Sequence, residues 1–251
     1  MGEYLKENER IDDLQTKGFR IIQNSKGFCF GIDAVLLANF VSLKKNSKVV
    51  DLGTGTGIIP ILIAAKSTTS KIEALEIQAE AADMARRSVI LNNLEERINV
   101  LNIDLKMADK HLKVNSFDVV TTNPPYMHAN GIVNTEEAKT ISRHEVKCKL
   151  EDVVKMAAKL LKHNGKFYMI HRPQRIVDIM LYCRKYKLEP KKLQFIQPMR
   201  EKKPNLLIVE CTKAARPEVK MLDPLIIYDE DGNYTRKVVD MYKKRNIENE
   251  G

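Results

Sequence analysis

Val49-Val50-Asp51-Leu52-Gly53-Thr54-Gly55-Thr56-Gly57 is the stretch on which the fold turns. A short apolar run that ends in an acid and three alternating glycines reads as a buried strand, a tight turn and then a helix over residues 58–65. Glycine lets the chain turn sharply and brings backbone up to a ligand with no Cβ in between. The spacing is G-x-G-x-G, not the G-x-G-x-x-G of dinucleotide sites, and no Gly-Lys-Ser/Thr follows to make a P-loop. Asp51 would repel a pyrophosphate and suits a ligand that has a cationic amino-acid end and no phosphates. Glu76 closes the next strand, where a carboxylate accepts hydrogen bonds from both hydroxyls of a ribose.

Outward from this stretch the chain alternates strand and helix. Residues 71–77 read as a strand, 79–92 as a helix, 98–104 as a third strand and 117–122 as a fourth. Apolar positions 150, 153, 154, 157, 160 and 161 follow the helical period, with Asn164-Gly165 expected as the C-cap. A fifth strand over 166–170 and a helix within 174–186 come next. Strands 193–197 and 206–211 are separated only by a short basic loop, so they form a hairpin. Upstream, residues 18–23 and Phe28-Cys29-Phe30 read as two strands around a turn, and Asp33 as the N-cap of an apolar helix over 34–40. The pattern predicts an α/β fold: a doubly wound, seven-stranded, mostly parallel sheet with an antiparallel C-terminal hairpin. The expected division is an N-terminal hairpin and covering helix (1–47), a core (48–213) and a C-terminal extension (214–251), with Pro224-Leu225-Ile226-Ile227-Tyr228 a candidate extra edge strand.

The net charge of +9 is unevenly placed. Residues 139–220 hold 21 Lys plus Arg against 8 Asp plus Glu, a local net of +13, while the rest of the chain comes to −4. Such concentration points to a polyanionic partner, and phosphate backbones are the commonest. No apolar run approaches the roughly eighteen residues of a membrane span, and the charged N-terminus does not suit a secretory leader. Cys29, Cys148, Cys183 and Cys211 form no C-x-x-C pair, which fits a reducing cytoplasm. No H-x-x-x-H pair occurs either, and no metal site is expected.

The fourth strand runs into Asn123-Pro124-Pro125-Tyr126, on the edge where ligands bind in open α/β sheets. An exocyclic amine conjugated to a ring is a poor nucleophile because its lone pair is delocalised. The Asn123 side-chain carbonyl and the Pro124 backbone carbonyl each accept one N–H, which draws the nitrogen toward a tetrahedral shape and frees that pair. The prolines fix φ and preset the carbonyl direction. Tyr126 offers a flat face to stack on a planar substrate. The roughly twenty-residue loop beyond is long enough to favour a functional role.

Together these motifs resemble the class I S-adenosylmethionine-dependent methyltransferases, over about residues 28–213. The resemblance implies S-adenosylmethionine as cofactor, held by Asp51, Gly53, Gly55, Gly57, Glu76, Asp104 and Asn123, with Glu76 on the ribose and Asp104 on the adenine amino group. Asn-Pro-Pro-Tyr is similar to the signature of amino-methyltransferases, which implies Asn123, Pro124 and Tyr126 as catalytic residues. DNA adenine enzymes carry a target-recognition insert, and this chain has no room for one. Release-factor glutamine-N5 enzymes have a helical N-terminal domain, and guanine-N2 rRNA enzymes an additional domain. The segment Phe28 to Ala38 and Arg143-His144-Glu145 are similar to the small-domain family that methylates adenine N6 in the anticodon loop of valine tRNA. That likeness implies tRNA as partner, cytoplasmic location, no obligate protein partner, and substrate contacts from Tyr126, Arg143, Arg200, Lys202 and Lys203. A release-factor or rRNA enzyme and a non-catalytic RNA-binding module on the same fold remain the alternatives.

Overall fold

The computed structural model describes residues 4–27, 31–68, 70–124 and 148–243. The central strand β3 (Lys48–Leu52) buries all but its first residue. It pairs in parallel with β4 (Lys71–Leu75) on one side and β6 (Phe117–Thr122) on the other. β5 (Ile98–Leu101) extends the sheet beyond β4. On the other side β6 pairs in parallel with β7 (Leu161–His171), and β7 pairs antiparallel with β9 (Leu206–Lys213). β9 in turn pairs antiparallel with β8 (Leu188–Gln197), so the expected hairpin is present.

Among the described residues the sheet has eight strands rather than seven, because β10 (Lys220–Ile226), which overlaps the candidate edge strand at 224–228, adds in parallel to β8 at the edge. Pro224 falls where the β10 register shifts, between Leu222 and Leu225, and an edge bulge is where a strand tolerates a residue without an N–H.

Both faces of the sheet are covered. Val49 and Val119 join a core built with α1 (Ile32–Phe40), α2 (Ile58–Lys66) and α3 (Ala79–Leu91). Val50, Leu52 and Val120 face a second core with α4 (Ala108–His111), α5 (Leu150–Leu160) and α6 (Ile176–Lys185). A last helix, α7 (Arg236–Lys243), follows β10, and its Val238 is buried in the first core. Lys66 ties the first pair of helices together. Its ammonium donates to the carbonyls of Ala38, Asn39 and Val41 at 2.9, 2.6 and 2.9 Å, satisfying the exposed C-terminal end of α1.

Three local expectations change. The hairpin at the N-terminus is β1 (Glu9–Asp13) with β2 (Arg20–Asn24), and Phe28-Cys29-Phe30 lies outside the described residues. The hairpin docks on α3, where Ser88 Oγ accepts from Ile22 N and Asn92 Oδ1 accepts from Arg20 N. Helix α1 begins after Gly31, so Asp33 sits inside the first turn instead of capping it. Helix α5 ends at Leu160, because Leu161 already pairs with Phe117 as strand; Asn164 (φ 60°) and Gly165 form an irregularity in β7, not a helix cap.

A Cβ on Gly165 would stand 2.9 Å from the Lys162 carbonyl oxygen, 2.9 Å from Leu161 Cδ2 and 3.2 Å from the Phe117 carbonyl oxygen. Gly165→Ala should therefore destabilise the fold by about 1–3 kcal/mol through overpacking. Urea unfolding measures this, and an unchanged midpoint would show that β7 relaxes freely there.

Candidate active site

The carboxyl ends of β3, β4, β5 and β6 lie along one edge, since these strands are mutually parallel. The glycine loop leaves β3 at that edge and is tied to the end of β4. Gly53 N and Thr54 N both donate to Leu75 O at 2.9 Å, and Gly55 N donates to Glu76 Oε2 at 2.8 Å. Gly57 N donates to Thr54 O. These N–H groups are thus spent on the protein, whereas a phosphate cradle keeps them pointed at the ligand. Gly53 (φ +74°) and Gly55 (φ +58°) adopt left-handed backbone, and a Cβ on either would meet nothing within 4 Å. The space beside them is open. Gly57 differs, for its Cβ would stand 3.3 Å from Ala85 Cβ, so its smallness serves the packing of α2 on α3.

Glu76 is buried and its second oxygen accepts from Gln78 N at 2.9 Å. A carboxylate has about four lone-pair sites, so two backbone donors leave capacity for two hydroxyls. Asn102, which the sequence did not single out, braces this strand end by donating to the Glu76 and Ile77 carbonyls at 2.8 and 3.1 Å.

Asp51 is fully buried on the face that meets α1. Thr121, opposite it in the β3–β6 register, donates to Asp51 Oδ1 at 2.6 Å. Burial pushes the carboxyl up from 3.8 to about 6, the Thr121 and Thr54 hydroxyls pull it down less, and the Glu76 charge adds to the rise. No hydrogen bond of regular geometry closes between Thr54 and Asp51. Asp51 Oδ2, Thr54 Oγ1 and Asn123 Oδ1 are all buried without a hydrogen-bond partner among the described residues. Buried acceptors left without a regular hydrogen bond are costly, and Asp51 and Asn123, on the neighbouring strands β3 and β6, offer theirs to a donor from outside the chain.

Asn123 leaves β6 directly beside the glycine loop. Its Nδ2 donates to Asp33 Oδ2 at 3.1 Å, a contact no sequence motif announced. Pro124 follows it and is buried; Pro125, Tyr126 and Arg143 lie outside the described residues. Asp104 stands at the same edge beyond β5, but its carboxylate accepts from Lys106 N at 2.9 Å and pairs with Lys106 Nζ at 3.4 Å, so it is turned toward its own helical turn.

Strand β8 runs in the same direction as β6, which puts the loop carrying Arg200, Lys202 and Lys203 on the site edge, about 14 Å along it at three strand spacings. These side chains are exposed and make no ion pair among the described residues. The loop itself is pinned: Gln197 Nε2 donates to the Arg200 and Lys202 carbonyls, and Lys202 N to Met199 O.

An open parallel sheet with this loop after its central strand, an acid ending the next strand and Asn-Pro ending the fourth defines a class I, S-adenosylmethionine-dependent methyltransferase. The methyltransferase small domain family matches residues 30–181, and the chain belongs to it. It is 28% identical over 240 residues to a Porphyromonas gingivalis tRNA1(Val) (adenine(37)-N6)-methyltransferase, covering 91% of this chain and 92% of the relative. A Haemophilus influenzae protein of the same name is 28% identical over 232 residues, covering 90% and 95%. Among solved structures, one described as a predicted O-methyltransferase from Agrobacterium tumefaciens superposes with a TM-score of 0.70 at 25% identity, covering 85% of this chain and 96% of that one. No helix among the described residues is long and apolar enough to cross a membrane.

The residues present fit the cofactor: open space beside two glycines, an orphan buried carboxylate oxygen for a cation, and a carboxylate with spare lone pairs for a ribose. The burial of Asp51 has a consequence for stability. Its folded pKa lies above its unfolded one, so between about pH 4 and 6 the folded state keeps a proton the unfolded state has released, and stability falls as pH rises. Asp51→Asn removes that loss. Its stability relative to the parent should rise by about 3 kcal/mol from about pH 4 to about pH 6 and then level off. Urea unfolding of both proteins across this range measures it; a constant difference would mean Asp51 does not titrate there.

Proposed function

We propose that the chain methylates the exocyclic N6 amine of an adenine in tRNA. The observation that carries the reading is the Asn123 side chain, whose amino end is occupied by Asp33 while its carbonyl oxygen is buried without a partner. S-adenosylmethionine supplies an electrophilic methyl on a sulfonium. Glu76 holds the ribose of this cofactor, Asp51 and Thr54 receive its amino-acid end, and Gly53 and Gly55 give it room. Asp104 reaches the adenine amino group once it releases its own turn. Asn123 Oδ1 and the Pro124 carbonyl each accept an N–H of the target amine, and its lone pair turns toward the methyl. A hydroxyl has one hydrogen to hold and an amine two, so a paired acceptor suits the amine. No strong base is needed, because the nitrogen becomes acidic only as it gains the methyl, and catalysis is mainly positioning. Tyr126 stacks on the base, and the chemistry belongs to residues 48–213, with 1–47 over the cofactor.

The tRNA substrate draws support from the names of the relatives and from the pinned basic loop. Arg200, Lys202 and Lys203 grip backbone phosphates, joined by Arg143. This is work for the cytoplasm, where tRNA is modified.

Methyl transfer from labelled cofactor to unmodified tRNA, beside release factor and rRNA, tests the reading. Asn123→Ala should cut turnover at least about 100-fold, as loss of one transition-state hydrogen-bond partner does, with S-adenosylhomocysteine affinity little changed. Labelled release factor and unlabelled tRNA would replace the substrate. Arg200→Ala with Lys202→Ala and Lys203→Ala should raise the tRNA KM. The triple variant should also flatten the salt dependence by up to about two units of slope, at about 0.7 per contact on a single strand. Equal slopes in the two proteins would move the RNA contact elsewhere.

A further inference from the structure

A primary amide is nearly symmetric in shape, and a half-turn about its last bond exchanges carbonyl and amino ends. For Asn123 the two orientations are chemically opposite, since one presents an acceptor to a substrate N–H and the other a donor that repels it. The neighbour that decides between them is Asp33, 90 positions earlier in the chain. A carboxylate has no hydrogen to give, so it faces the amino end of the amide and cannot face the carbonyl. The 3.1 Å contact from Asn123 Nδ2 to Asp33 Oδ2 therefore turns Oδ1 away, and Oδ1 is the atom left buried without a partner among the described residues.

Asp33 is itself fixed. It is 8% exposed, and its Oδ1 accepts from Ala34 N at 2.9 Å. Gly31 supplies the room it occupies: a Cβ at position 31 would stand 2.8 Å from Asp33 Oδ1 and 3.6 Å from Cγ. The backbone at Gly31 (φ −97°, ψ 178°) is open to any residue, so the missing side chain serves the carboxylate and not the turn. Lys66 holds the other end of the same helix through three carbonyls, so α1 carries Asp33 as a braced strut.

We propose that Asp33 is a positioning residue for methyl transfer, its carboxylate locking the Asn123 amide with the carbonyl oxygen toward the acceptor amine. This rests on the reading that Asn123 accepts a substrate N–H, and the test separates the two. Side-chain amide NMR of the labelled protein without substrate, assigned against Asn123→Ala, reports the lock by itself. The parent should show a protected Asn123 NH2 pair, and Asp33→Ala and Gly31→Ala should lose the protection. In steady-state transfer to unmodified tRNA, Asp33→Ala should lower kcat about 10–100-fold, with tRNA KM and S-adenosylhomocysteine affinity within about 2-fold. Gly31→Ala, which displaces the carboxylate without removing it, should lower the same parameter less.

The exchange Asp33→Asn with Asn123→Asp supplies the readout that a merely structural role would not move. Asn123→Asp alone sets two carboxylates against each other. In the double variant the new amide at 33 donates to one oxygen of the new carboxylate at 123, whose other oxygen is again an acceptor for the amine. It should recover kcat at least about 5-fold over Asn123→Asp, a coupling of the kind contacting residues show. Parent-like kcat in Asp33→Ala and Gly31→Ala beside a dead Asn123→Ala would overturn the positioning role and leave Asn123 standing. A double variant no better than Asn123→Asp would also overturn it. Full activity in Asn123→Ala would overturn the reading beneath it, even with the amide lock seen by NMR.

Discussion

The parallel register of β3 between β4 and β6 is the constraint on which the other features hang. Asp51 lies opposite Ala74 on one side and Thr121 on the other, and Leu52 opposite Leu75 and Thr122. A slip of one residue would turn Asp51 to the other face and Val50 into its place, breaking both cores at once. Two side-chain bonds guard against it: Thr121 to Asp51, and Thr122 Oγ1 to the Leu52 carbonyl at 2.9 Å. With the register set, the glycine loop, Glu76 and Asn123 emerge at neighbouring strand ends, where the bonds from the loop to Leu75 and Glu76 hold them.

The parts of the site legible in the sequence are those that depend on short-range pattern. β3 and β6 follow their apolar runs residue for residue, and the glycine loop and Glu76 fall where strand ends must put them. What escaped depends on long-range partners. β1 is Glu-Arg-Ile-Asp-Asp, with no alternation to betray a strand; it is held by the hairpin and by Glu9 meeting Arg87 at 2.6 Å across the sequence. The candidate edge strand at 224–228 is present as β10, but it starts earlier, at Lys220, and runs through Pro224 at a bulge. The end of α5 is hidden because the apolar period runs on through Leu161, which serves the strand instead. Asp33 looked like a cap, the usual role of an aspartate before an apolar helix, and only Asn123 brought close shows its other partner.

Charge tells a similar story. Part of the basic charge of residues 139–220 is committed to architecture: Lys159 to Asp109, Lys162 to Asp118, Lys166 and Lys192 both to Glu210, and Lys185 to Glu151. Glu210 is 4% exposed in its side chain between two lysines, and their hydrogen bonds and charges outweigh its burial, holding its carboxyl below the usual range. Charge summed along the chain does not separate the cations that hold strands together from those, such as the three on the β8–β9 loop, that face outward.

The placement of β3 at the centre also bears on how the chain emerges from the ribosome. Its second neighbour in the sheet lies 70 residues downstream, as the Asp51–Thr121 pair records. At roughly 5–20 residues per second, synthesis leaves the β6 side of β3 uncovered for about 4–14 s. Throughout that wait a row containing Val49, Val50 and Leu52 stands as an open sheet edge, the kind that recruits other nascent chains. Asp51 sits in the middle of the row, a charge that a foreign strand would have to bury without Thr121 to receive it. A foreign strand added at that edge would therefore carry a cost that β6 does not, since β6 brings Thr121 with it.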